Sequence, residues 1–106
     1  MMIEAKVIVA VPTYNRAHFL TDALTNLRSQ SFDDMKVVVI DNASTDNTPS
    51  VYEEIAGSDN RFHYVRNEFT IPAQDNFKRG LQITDSKFFM WRADDDLSDF
   101  NYIESL

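Results

Sequence analysis

The sequence predicts an α/β domain with a mostly parallel sheet and flanking helices. Three observations carry this. Apolar, often β-branched runs recur at Lys6–Val11, Lys36–Asp41, Arg61–Val65 and Lys87–Trp91. Segments with helical spacing of apolar residues lie between them, and this alternation is the mark of a parallel α/β sheet. A polar cluster then follows each run, and in such sheets ligands bind outside the carboxyl ends of the strands.

Lys6–Val11 is apolar after its lysine, like a central strand covered on both faces, and Pro12 is expected to break it. Phe19, Leu20, Ala23, Leu24 and Leu27 recur at helical spacing, with Asn15 as the expected cap. Lys36–Asp41 is a second buried strand, and Asn42–Thr48 is a polar turn. Pro49 suits the first position of the next helix, Val51, Tyr52 and Ile55 mark its inward face, and Gly57 closes it. Arg61–Val65 reads as a third, shorter strand. Pro72 opens another helix, with Ala73, Phe77 and Leu81 four apart. Lys87–Trp91 reads as a buried fourth strand, and Asp99–Leu106 starts one more helix with Phe100 and Ile103 inward.

Composition bounds the function. The 106 residues suit one domain spanning 1–106, with 43% hydrophobic and 25% charged residues. A net charge of −7 argues against nucleic-acid binding and against adhesion to anionic membranes. It leaves an anionic substrate open, because a bound metal can supply local positive charge. Cysteine is absent, which excludes disulfides and thiolate metal sites. Val7–Val11 is too short for a signal-peptide core and no run reaches transmembrane length, so a cytoplasmic protein is the default expectation. His18 and His63 lack metal-ligand spacing. The only glycines are Gly57 and Gly80, so neither a G-x-G-x-x-G nor a G-x-x-x-x-G-K-[ST] phosphate loop can be formed.

The run Phe88–Leu97 is the most informative stretch. An aromatic strand ends in three consecutive carboxylates, Asp94, Asp95 and Asp96. Like charges this close repel unless a cation sits among them. Hard divalent cations such as Mg²⁺ or Mn²⁺ bind through one or two carboxylates plus substrate phosphates. The same run also suits an acidic turn that caps the next helix.

Three stretches in this order and spacing resemble the family 2 glycosyltransferases of the GT-A fold. They are Val11-Pro12-Thr13-Tyr14-Asn15-Arg16, Val38 to Thr48, and Ala93-Asp94-Asp95-Asp96. Asn76, opening Asn76–Leu81, resembles a further family position. The resemblance implies a Rossmann-like sheet and an enzyme that transfers a sugar from a nucleotide diphosphate donor, with Mn²⁺ or Mg²⁺ as cofactor. By the resemblance Pro12, Thr13, Tyr14 and Arg16 line the base pocket, and Asp41 hydrogen-bonds the base. Asn76 is a donor-binding position, Asp94 and Asp95 meet the nucleotide sugar, and Asp94, Asp95 and Asp96 form the DxD-like metal motif. Arg92 stands where many relatives carry an acid.

An ionised Asp41 is acceptor-only, which suits the imide N–H of uracil, so a UDP-sugar is the expected donor. A strand-end aspartate can equally organise the Asn42–Thr48 turn. Family members continue past the acidic motif, so the fold is expected to be incomplete at its C-terminus, with the general base outside this chain. A nucleotide-binding module without transfer is the alternative, and a phospho-aspartate enzyme a third reading. The apolar Phe88–Trp91 and Phe100–Leu106 regions lead to an expected two-fold homodimer.

Overall fold

The computed structural model describes residues 3–30 and 34–91. Within them the order is β1 (Ile3–Thr13), α1 (Ala17–Arg28), β2 (Met35–Asp41), α2 (Thr48–Ala56), β3 (Phe62–Arg66), α3 (Ala73–Gln82) and β4 (Thr84–Trp91). The strands form one parallel sheet in the order β3-β2-β1-β4. The chain steps outward from β1 to β3, then crosses back to place β4 on the other side of β1. That reversal makes the gap between β1 and β4 the topological switch point, where open α/β sheets bind ligands at their carboxyl ends.

Alternation along β1 builds two cores. Val7, Val9 and Val11 point to one face and join Leu20, Leu24 and Leu27 of α1 with Tyr52 and Ala56 of α2. Ile8 and Ala10 point to the other, with Val38 and Ile40 of β2. α3 contacts β1, β2 and β4. Continuous burial from Val7 to Val11 and from Val37 to Asp41 confirms two central strands.

Several sequence expectations change. β1 does not stop at Pro12 but runs to Thr13, paired with β2 to the end. Among the described residues its β4 pairing ends at Ala10–Trp91, so Pro12 lies beyond that ladder, where a missing N–H is tolerated. In α1 the buried stripe is Ala17, Leu20, Ala23, Leu24 and Leu27, while Phe19 is exposed beneath the Arg16 guanidinium. Pro49 occupies the second position of α2, after Thr48. Gly57 closes α2 with a right-handed φ of −61°, so its left-handed freedom is not used.

The largest departure is α3. Its buried residues are Asn76 and Gly80, whereas the row Ala73, Phe77 and Leu81 turns outward. The reason is close approach: a Cβ on Gly80 would lie 2.8 Å from Ile40 Cδ1 and 3.3 Å from Ala10 Cβ. The helix sits too near the sheet for a large side chain on that face. β4, expected to be buried, is an edge strand among the described residues, with Phe88 and Trp91 exposed. The expected helix at Asp99–Leu106 and the triplet Asp94 to Asp96 lie outside the described residues.

Candidate functional site

An open pocket of about 190 Å³ lies at the carboxyl end of the sheet, beside the switch point. The end of β1 supplies Pro12 and Thr13, and the turn after it supplies Tyr14 and Arg16. Asn42 enters from the end of β2, and Ala73, Asn76 and Phe77 enter from the start of α3. Pro12, Thr13, Tyr14, Arg16 and Asn76, all expected from the sequence, are therefore brought together. Asn42 was legible only as a strand-end polar residue, and Phe77 only as part of an apolar row.

Two loops hold the pocket's rim by capping each other. Asn15 adopts a left-handed φ of 51° and does not cap α1. Its Oδ1 instead accepts from the backbone N–H of Thr45 (2.7 Å) and Asp46 (3.2 Å). In return Asp46 Oδ2 accepts the N–H of Ala17 at the start of α1 (3.1 Å), and its Oδ1 accepts the N–H of Thr48 at the start of α2 (3.1 Å). One carboxylate thus serves two helix N-termini, where negative charge is favoured. Burial pushes the Asp46 carboxyl up, but hydrogen bonds from the Thr48 hydroxyl and from the backbone of Ala17, Thr48 and Asp46 itself outweigh it and hold it below its usual range.

Asp41, expected at the base, does not line the pocket. It is fully buried, on the sheet face of Val37 and Val39, and both oxygens are engaged. Oδ1 accepts from the Ser44 backbone N–H (2.9 Å), and Oδ2 accepts from Arg66 Nη1 (2.8 Å) and the Tyr64 hydroxyl. Arg66 Nη2 also donates to the Ser44 carbonyl at 2.7 Å, so the Asn42–Thr48 turn is tied to β3. Burial, with the hydrogen bond to Asp41 second, pushes the Tyr64 phenol up to about 12, which keeps it a donor. Arg66 and Tyr64 escaped the sequence reading because only the register, with Asp41 paired to Arg66, brings them under β2.

Beneath the α3 side lies an all-asparagine contact. Asn67 Nδ2 donates to Asn42 Oδ1 (2.9 Å) and to Asn76 Oδ1 (2.7 Å), linking the ends of β2 and β3 with α3. Asn76 Nδ2 donates to the Ile40 carbonyl at 3.1 Å. Two walls of the pocket are therefore fixed by buried, directional bonds.

No group of three or more His, Asp or Glu side chains that could hold a metal gathers among the described residues. β4 ends at Trp91 opposite Ala10, at the same end of the sheet as the pocket, three residues before Asp94. The all-oxygen donor set of Asp94, Asp95 and Asp96 fits a hard divalent cation. No helix among the described residues is long and apolar enough to cross a membrane.

Comparison with known proteins agrees with this arrangement. The profile of glycosyl transferase family 2 matches residues 8–106. The GalNAc(5)-diNAcBac-PP-undecaprenol beta-1,3-glucosyltransferase of Campylobacter jejuni is 33% identical over 92 residues, covering 86% of this chain and 30% of that protein. The crystal structure of Staphylococcus aureus TarS 1-349 superposes with a TM-score of 0.85 at 25% identity, covering 94% of this chain and 30% of that one. The same protein in complex with UDP-GlcNAc gives 0.79 at 25% identity, covering 94% of this chain and 29% of that one. The mannosyltransferase PcManGT of Pyrobaculum calidifontis, in complex with GDP-Man and Mn²⁺, gives 0.82 at 27% identity, covering 92% of this chain and 30% of that one. The chain spans about 30% of the length of these relatives. Motifs, sheet order, site position and family match lead to one assignment: the chain belongs to the family 2 glycosyltransferases and carries the GT-A fold.

Proposed function

We propose that this chain forms the donor-binding part of a metal-assisted glycosyltransferase, taking a nucleotide diphosphate sugar of the UDP type. The observation that carries the reading is the pocket at the switch point, where Pro12, Thr13, Tyr14, Arg16 and Asn76 converge from two elements and a turn. Tyr14 is 45% exposed and offers a face for base stacking. Arg16 is assigned to the diphosphate. Asn42 and Asn76 form the polar wall. Asp41 holds the end of β2 and the turn after it, and acts on the nucleotide through Asn42 and that turn. Asp94, Asp95 and Asp96 are assigned to Mn²⁺ or Mg²⁺, with Asp94 and Asp95 also meeting the donor. The metal, when bound, offsets the charge that builds on the departing nucleotide diphosphate. The UDP-GlcNAc complex of TarS supports the uridine reading, and the Mn²⁺ of PcManGT supports the cation.

Calorimetry with UDP, GDP and ADP, each with and without Mn²⁺, tests the proposal. UDP should bind tightest and only with metal, and replacing Asp94 and Asp96 together by Asn should remove the metal dependence. Tyr14→Ala should cost about 1–3 kcal/mol of affinity, the range for stacking a base on an aromatic ring. Equal affinity for all three nucleotides in the presence of chelator would refute it.

The two-fold dimer belongs to the same proposal. It was expected through the Phe88–Trp91 and Phe100–Leu106 regions, and of these Phe88 and Trp91 on β4 are exposed among the described residues. Sedimentation at several concentrations should show self-association. A monomer well above micromolar concentration contradicts it.

A further inference from the structure

Among the described residues, only Asn15 (φ 51°) and Ala43 (φ 60°) take a left-handed backbone. Neither is glycine, so each holds a conformation that L side chains disfavour. They lie in different turns, one after β1 and one after β2. The two turns meet at Ser44, which follows Ala43 and is 2% exposed. A disfavoured backbone persists only where its surroundings over-determine it, and such positions gather at binding sites.

Ser44 spends three polar groups on three different elements. Its N–H donates to Asp41 Oδ1 at the end of β2 (2.9 Å). Its carbonyl accepts from Arg66 Nη2 at the end of β3 (2.7 Å). Its Oγ accepts the backbone N–H of Asn15 (2.9 Å). That N–H belongs to the peptide joining Tyr14 to Asn15, so the bond fixes the peptide plane next to Tyr14. Tyr14 is 45% exposed, so the course of its backbone, more than packing, sets where its ring goes. Arg16 follows on the other side of Asn15, and both Tyr14 and Arg16 line the pocket at the switch point. Ser44 and Arg66 do not line it.

We propose that Ser44 is a positioning residue of this pocket, carrying the register of β2 and β3 to the turn that bears Tyr14 and Arg16. A side chain on the edge strand β3 thereby acts on affinity in a pocket it does not line. Serine suits the place because its hydroxyl oxygen accepts from the neighbouring turn while its backbone groups serve the strands. Alanine there keeps the two backbone bonds and loses only the third. Arg66 acts one step further back. Its planar fork reaches Asp41 and the Ser44 carbonyl at once, which a lysine ammonium, a single point charge, does not reproduce. Without the third bond the left-handed turn competes with other backbone states, and apparent affinity falls with the fraction of molecules still in the competent one. The proposal rests on the reading of this pocket as the nucleotide site, and its test separates the two.

Two measurements on the isotope-labelled chain make that test. In NMR of ligand-free Ser44→Ala, the amide resonances of Tyr14, Asn15 and Arg16 should shift or broaden while those of Val9 and Leu24 hold. In calorimetry with Mn²⁺, the folded fraction of Ser44→Ala should bind UDP about fivefold more weakly, the worth of one ordinary hydrogen bond. Arg66→Lys should move the same amides and weaken UDP in the same direction, and it carries the test if Ser44→Ala does not fold. Leu24→Ala should lower stability and leave the affinity of the folded fraction unchanged, which is how a merely structural Ser44 would behave. Variants that lose stability while UDP affinity and the amides of 14–16 stay put overturn the proposal. An unaltered chain that binds no UDP refutes the nucleotide reading alone. The amides then decide: shifted, they uphold positioning by Ser44, and unmoved, they overturn it.

Discussion

The two faces of the sheet are packed by opposite means. On one, α1 and α2 press Leu20, Leu24, Leu27, Tyr52 and Ala56 onto the valines of β1 and β2. On the other, α3 meets the sheet through Asn76 and Gly80 and carries Phe77 and Leu81 on its far side. The first face is a continuous apolar layer whose stability scales with buried area. The second has a small apolar core at the sheet surface and then a directional polar layer. The lesson is a division of labour. The α1/α2 face holds the sheet together, while the α3 face gives up apolar packing to bring asparagine amides to the strand ends, where the pocket lies.

A leucine truncated on each side should separate the two faces. Leu24 is fully buried, so Leu24→Ala should cost about 2–5 kcal/mol in urea unfolding. Leu81 is 54% exposed, and Leu81→Ala should change stability by no more than about 0.5 kcal/mol. Equal costs would show that the two faces do the same job.

Gly80→Leu comes next. It overpacks the contact with Ile40 and Ala10 and should cost about 1–3 kcal/mol. Because Asn76 rides on the same helix, UDP affinity should fall in step with stability, whereas Leu24→Ala should leave the affinity of the folded fraction intact.

Asp46→Ala removes the shared cap of the first face and should cost about 1–2 kcal/mol. The folded carboxyl lies below its unfolded value, so its contribution is complete above about pH 4 and is lost as pH falls through the folded value. Asp46→Asn keeps a capping oxygen and should make the acid limb of the stability profile shallower.

The smallest effect belongs to His63, on the edge strand β3. Burial, and then the charge of Lys36, hold its imidazole below the usual range. The unfolded chain therefore binds the proton first, so stability should decline as pH drops below about 6.5. His63→Gln should flatten the profile between pH 7 and 5, read by denaturant midpoints.

What the sequence made legible were the patterns that rest on chain-local chemistry. Unbroken β-branched runs named β1 and β2, polar strand ends put Thr13 and Tyr14 at the ligand end of the sheet, and the family resemblance added Asn76. The orientation of α3 was not legible. Ala73, Phe77 and Leu81 are four apart as a buried row would be, and only the nearness of Ile40 shows that the buried side must be small. The surroundings of Asp41 were hidden for another reason. Its partners Tyr64 and Arg66 lie more than twenty residues away, and one step of register decides whether they reach it. Asn15 looked like a local cap because its type suits one, yet its left-handed backbone turns the side chain to the neighbouring loop.

The bond from Ala17 to Asp46 spans 29 residues along the chain. The start of α1 is therefore completed by a group that arrives only when β2 has docked beside β1 and its following turn has closed. Before that moment the helix has no side-chain cap of its own, and a dozen residues make a marginal helix in water. α2 differs: Asp46 reaches its first residue, Thr48, from two positions away, so that contact can form locally, whereas α1 waits for the sheet. In a transition-state map, Asp46 would report on the local start of α2 and on the long-range assembly of β1 and β2 together, and only a variant at the start of α1 would isolate the second.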